Sequence, residues 1–271
     1  MRIPITMNDF KFEIKKFLQM KSLYYFLIFL FFFTVIISLS AFYSFEGDKL
    51  PTNYLALRIT PLNANLYVPI IISFYTARIF SVEYENNIMF ALQLHNKNID
   101  NIYLLKTVMA IVYISIAYFI QLFSALLIEK NFHNCKIDFN FYVNGSKIIF
   151  EQRESIVNII ILYFNQFIGT LFIFEIFLFF LFLQKSFLKS SVSTIFLVTV
   201  IDVLYIFFSS RNFDLRKYHI LIPFNAEYTW RNLFFLNFGD IDITLITWSF
   251  FLIIINMIIM HKNSIRRGYF E

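Results

Sequence analysis

Six stretches of this chain stay apolar for so long that water is a poor solvent for them. They lie at about 22–43, 66–82, 103–128, 157–183, 191–208 and 242–260. A hydrocarbon core about 30 Å thick is crossed by roughly 20 helical residues. Inside it every backbone amide must be paired within the protein, which leaves helices or closed barrels. A barrel would be written as alternating strands of about 10 residues, whereas these runs are continuous. The expected fold is therefore all-α: a polytopic membrane protein with six transmembrane helices, in one domain over 1–271. Composition agrees, since 15% of residues are charged against about 25% in soluble domains. The run from Leu23 to Tyr43 is too long and too aromatic for a cleaved secretory signal, and is expected to be retained.

Cations orient the spans, because cytoplasmic loops are enriched in Lys and Arg. With the N-terminus inside, the inner pieces are about 1–21, 78–106, 184–190 and 261–271, and they hold 13 of the 23 basic residues. The outer pieces are longer, and their ten basic residues are matched by ten acidic ones when Asp242, at the edge of the sixth run, is counted with them. Both termini are thus expected in the cytoplasm. Lys185 and Lys189 read as topology signals on the inner side. The formal charge of +5 follows from this arrangement and gives no reason to expect nucleic acid as a partner.

Ahead of the first span, Phe10, Ile14, Phe17 and Leu18 recur at helical spacing, with Lys11, Lys15 and Glu13 on other faces. Asn8 or Asp9 can cap such a helix. It is expected over 7–21, lying in the cytoplasmic interface with its lysines on anionic headgroups. Between the second and third spans, Asn87 to Leu94 has the pattern of a short loop helix. Asn96 to Asn98 form a turn cluster, and Asp100 can cap the third span.

This arrangement resembles the permease subunits of ABC-2 type exporters. The local match is FSVEYENNIMFALQLHNKNIDNIYLLKTVMA, Phe80 to Ala110: an acidic pair, Glu83 and Glu85, an apolar stretch, Ile88 to Leu94, a turn, Asn96 to Asn98, and an entry lysine, Lys106. The basic tail HKNSIRRGYFE is similar to the family's C-terminus. Asn86-Asn87 stand where the family commonly has Gly-Thr or Gly-Ser.

The resemblance implies an N-terminal elbow helix and a cytoplasmic coupling helix at about 87–94. It implies an ATP-binding cassette subunit as partner, met by Met89, Phe90 and Leu92 as apolar knobs. Glu83 and Glu85 would pair with basic residues of that subunit or with the lysines of the interfacial helix. A second permease, a copy of this chain or a paralogue, would complete the path. His219 to Phe235 would dip into the outer leaflet as a short re-entrant element.

The chain carries no ATPase motif of its own. G-x-x-x-x-G-K-[ST] is absent, and five glycines in all leave little for a phosphate cradle. Cys135 is the single cysteine, and the four histidines are scattered, so no disulfide, catalytic or metal set is expected. No cofactor is expected.

Two carboxylates fall within spans, Glu175 and Asp202. Charge at mid-membrane costs at least about 2.5–3.5 kcal/mol and by default marks a functional position. They are candidates for a translocation path or a proton-linked site. The alternative is a hydrogen bond joining two helices. Gln121, Asn165, Gln166 and Asn256 are cheaper polar insertions.

The crowding of Phe and Tyr favours a hydrophobic or amphipathic cargo. The bias toward Ile, Asn, Lys, Phe and Tyr suggests an AT-rich bacterium, whose small exporters often move antimicrobial or cytolytic peptides. The expected location is the bacterial cell membrane. The competing readings are an exporter of lipid or drug and a non-transporting sensor or assembly subunit. A secondary transporter would show matching inverted halves, and none is visible.

Overall fold

The structure is a computed structural model, and it describes residues 7–44, 67–85, 99–133, 152–209 and 243–268. Among the described residues every regular element is an α-helix. In chain order they are α1 (Met7–Leu18), α2 (Lys21–Ser44), α3 (Tyr67–Glu85), α4 (Ile99–His133), α5 (Gln152–Gln184), α6 (Phe187–Ser209) and α7 (Ile243–Gly268). Each of the six apolar segments coincides for most of its length with one of the helices α2 to α7. The expected coupling helix at 87–94 and the re-entrant segment at 219–235 lie outside the described residues.

Three helices have windows long and apolar enough to cross a membrane: Asn101–Ser124 in α4, Gln166–Gln184 in α5 and Ile246–Asn263 in α7. Shorter apolar stretches run over Lys21–Ile36 in α2 and Phe187–Val200 in α6. The helices outrun their apolar segments. α4 starts four residues before the apolar run at 103 and ends five beyond 128, because a hydrogen-bonded ladder does not stop where hydrophobicity does.

The helices surround α5, which packs against α3, α4, α6 and α7. Its spanning window is 67% buried against 17% for that of α7, so α5 is the axis of the fold and α7 lies at its rim. Phe174, Phe177, Leu178 and Leu181 of α5 are fully enclosed. Polar side chains bind the inner helices. The Ser73 hydroxyl lies 2.7 Å from the Pro69 carbonyl and 2.9 Å from the Thr170 carbonyl, joining α3 to α5. Thr170 donates to Gln166 O and accepts from the Tyr118 hydroxyl of α4 at 2.5 Å. Pro69 sits in the first turn of α3, where its missing N–H breaks no helical bond.

The outward faces are apolar. On α2, Tyr25, Phe29, Phe32 and Ile36 are exposed at helical spacing, and on α6 so are Leu188, Val192 and Phe196. Such stripes would drive aggregation in water. In hydrocarbon they are simply the solvated surface.

A helix forms over Met7–Leu18, three residues short of the expected 7–21 because Lys21 already opens α2, and it docks on α4. Phe17 meets the Tyr113 ring edge-on at 6.2 Å, and Tyr113 donates to Leu23 O at 2.9 Å. Lys11 and Lys15 are exposed. Leu18 departs from the expected apolar stripe: it is 55% exposed, because the bend at Gln19–Met20 turns Phe17, not Leu18, onto α4.

Candidate functional site

The end of α3, the start of α4 and the end of α1 converge on a buried ion cluster. Glu83, in the last turn of α3, is fully enclosed. Its carboxylate pairs with Lys106 Nζ of α4 at 2.6 Å and with Lys16 Nζ of α1. Lys106 is 1% exposed, donates to Ile79 O at 3.3 Å, and lies over the Phe80 ring at 5.9 Å. Lys16 keeps 28% of its side chain exposed. One anion between two cations therefore ties α1, α3 and α4 together at one point. Removing one partner of a buried pair typically costs about 3–5 kcal/mol, since the survivor stays desolvated.

Glu85, two residues on, points elsewhere. Its Oε1 accepts the backbone N–H of Phe187 at 2.5 Å. A carboxylate from the end of α3 thus caps the first turn of α6, where free N–H groups and the helix dipole favour an anion. The tight α5–α6 turn that brings Phe187 there uses Lys185 in the left-handed region, at φ 54°. Arg78 of α3 lies over the Phe187 ring at 4.4 Å.

Just below, Tyr84 donates to Phe182 O at 3.2 Å. Asn263 Nδ2 of α7 donates to that carbonyl at 3.0 Å and to the Tyr84 hydroxyl at 3.2 Å. Six helices thus meet around the short segment Glu83–Glu85, which immediately precedes residues 86–98.

A second polar cluster lies less than a turn of α4 away, because Tyr103 and Lys106 are three residues apart. Tyr103 donates to Glu175 Oε2 at 2.9 Å, and Asn256 Nδ2 of α7 donates to the same oxygen at 2.7 Å. Asn256 Nδ2 also reaches the Glu175 carbonyl at 2.8 Å. Glu175 is 1% exposed and lies about 14 Å from the C-terminal end of α5, at 1.5 Å per residue. It bridges α4, α5 and α7. Phe80, Phe174 and Phe182 pack between the two clusters, with ring centroids 5.9–6.5 Å apart around Phe80.

Of the residues singled out in the sequence, Glu83, Glu85 and Glu175 thus have definite partners. Glu83 meets the lysine of the N-terminal helix, one of the two pairings left open. Its carboxylate is enclosed by this chain and offers no surface to another subunit. Met89, Phe90 and Leu92 lie outside the described residues. Asp202 lies in α6, and its side chain is likewise outside them. Sequence reading did not single out Lys16 as the partner, did not pair Lys106, and did not bring Tyr103 and Asn256 to Glu175. The available signal was electrostatic: a lysine seven residues inside a membrane helix needs an anion, and Glu83 is the acid at the neighbouring helix end.

Among the described residues no three or more His, Cys, Asp or Glu side chains gather as a metal-ligand set. Comparison with family models, with curated proteins and with solved structures finds no match.

Proposed function

We propose that this chain is the transmembrane permease subunit of an ABC-2 type exporter, driven by ATP hydrolysed on a separate subunit. The observation that carries this reading is the Lys16–Glu83–Lys106 junction. A permease without its own ATPase must receive motion through a cytoplasmic contact and pass it to its spans. Here the N-terminal helix, the end of α3 and the start of α4 are clamped at the root of the first inner loop. A push on that loop is delivered to three elements together. Glu85 extends the same link to α6.

In this reading α2 to α7 are six spans, α1 is the elbow helix in the inner interface, and both termini are cytoplasmic. The coupling helix follows Glu85, and Met89, Phe90 and Leu92 fill pockets of the ATP-binding cassette subunit. Glu83 serves as its internal anchor. Two permeases, copies or paralogues, form the path in a bacterial cell membrane. The cargo is hydrophobic or amphipathic, an antimicrobial or cytolytic peptide in the first instance. The crowding of Phe and Tyr in the apolar runs and the few charges support such a cargo over a sugar or an ion.

The test is co-purification of the full chain, in nanodiscs, with ATP-binding cassette subunits from the same source. A stable complex with one of them is expected. Absence of association with every such subunit would remove the reading.

A further inference from the structure

The Glu175 cluster contains more oxygen than its own hydrogen bonds use. Oε2 of Glu175 accepts from Tyr103 and Asn256, but Oε1 has no hydrogen-bond partner among the described residues. The Asn256 amide cannot be turned round, because Nδ2 already faces two acceptors, the Glu175 carbonyl and carboxylate. Its Oδ1 is then also without a partner, and the Thr107 hydroxyl, one turn after Tyr103 on α4, faces the Tyr103 hydroxyl beside it. All four residues are buried. Among the described residues no cationic side chain bonds to Glu175, and Lys106, the nearest lysine along α4, is committed to Glu83. A buried carboxylate in a membrane helix marks a functional position by default.

We propose that Tyr103, Thr107, Glu175 and Asn256 form a binding site for a small monovalent metal cation of sodium size. Charge sets the valence: one carboxylate balances one positive charge, and a divalent ion would leave the buried site with net charge. Hard oxygen donors set the class of ion. Burial sets the size, since a peptide ammonium could reach Glu175 only by parting α4, α5 and α7. A proton would satisfy one orphaned oxygen directly, whereas a metal cation can coordinate several at once. Bound there, the ion would lock α7 onto α4 and α5 next to the Lys16–Glu83–Lys106 clamp. The proposal rests on the buried cluster alone and not on the exporter reading.

The test is binding of radioactive sodium to the purified full chain in detergent, at fixed alkaline pH and constant ionic strength, with choline as the inert replacement. Saturable binding of about one ion per chain is expected, displaced by unlabelled sodium and not by choline. Glu175→Gln should weaken it by about tenfold or more, on the scale seen when metal-site residues are changed. Should that variant fail to fold, Tyr103→Phe and Thr107→Val carry the same test, with weaker sodium binding expected from either. No saturable binding, or binding unchanged in a folded variant, would overturn the proposal. A thermal midpoint that follows pH and ignores sodium would overturn it too, in favour of a proton.

Discussion

Replacing Glu83 by Gln tests the inner clamp most sharply. The substitution preserves shape and removes the one anion between Lys106 and Lys16. Lys106 is 1% exposed and cannot reach water from its place over Phe80. It is left as an uncompensated buried cation, and a loss of about 3–5 kcal/mol is expected. Lys16→Gln is different. It removes a partner that is already 28% exposed and leaves the Glu83–Lys106 pair intact. Its cost should stay near the range of partly exposed pairs, about 1 kcal/mol or less.

Glu83→Gln combined with Lys106→Met removes both buried charges and should be more stable than Glu83→Gln alone. The assay is thermal unfolding of the purified chain in one detergent, followed by tryptophan fluorescence. The expected order of midpoints is wild type, then Lys16→Gln, then the double variant, then Glu83→Gln. A Lys16→Gln loss equal to that of Glu83→Gln, or a double variant no better than Glu83→Gln, would refute the reasoning.

Other outcomes follow from single contacts. Glu85→Ala removes the cap on Phe187. It should cost about 0.5–2 kcal/mol and speed amide hydrogen exchange in the first turn of α6 while sparing the middle of α5. Asn256→Leu removes one bond to the Glu175 carboxylate and one to its backbone carbonyl, whereas Tyr103→Phe removes only a bond to the carboxylate. A lost bond to a buried charged group is worth about 1.5–3 kcal/mol and a neutral one about 0.5–1.5 kcal/mol, so Asn256→Leu should give the lower thermal midpoint. Cys135 is the single cysteine and falls in an outer piece of the proposed topology. A membrane-impermeant maleimide should label it on intact cells, and labelling only after permeabilisation would invert the topology.

The helices were legible in the sequence because lipid demands continuous apolar runs, and charge then marks where they end. The fifth run, read from 191, begins as a helix at Phe187. The difference arises because Lys189 and the serines beside it are tolerated in the first turn of a helix that leaves the α5–α6 turn at once. The N-terminal helix was legible from the spacing of Phe10, Ile14 and Phe17. The partners of the charges were not. Hydropathy places a residue at a depth but does not fix the rotation of its helix. Whether Lys106 faces Glu83 or lipid depends on how α4 turns against α3. Glu175 and Asn256 are 81 residues apart, and Tyr103 lies 72 from Glu175. Only the packing of α4 and α7 on α5 brings them together. Lys16 shows the same limit: one face of α1 was legible, yet the residue that turns inward is set by the dock of Phe17 on Tyr113.

The central claim is that motion of an ATP-hydrolysing partner enters this chain through the loop after Glu85. The direct measurement is ATP hydrolysis by the reconstituted complex in proteoliposomes, with and without an amphipathic cationic peptide, for the wild type and for Phe90→Asp combined with Leu92→Asp. The account predicts that the peptide stimulates hydrolysis in the wild type, and that the double variant still inserts but loses both the partner and the stimulation. A double variant that keeps the complex and the full peptide response would contradict it.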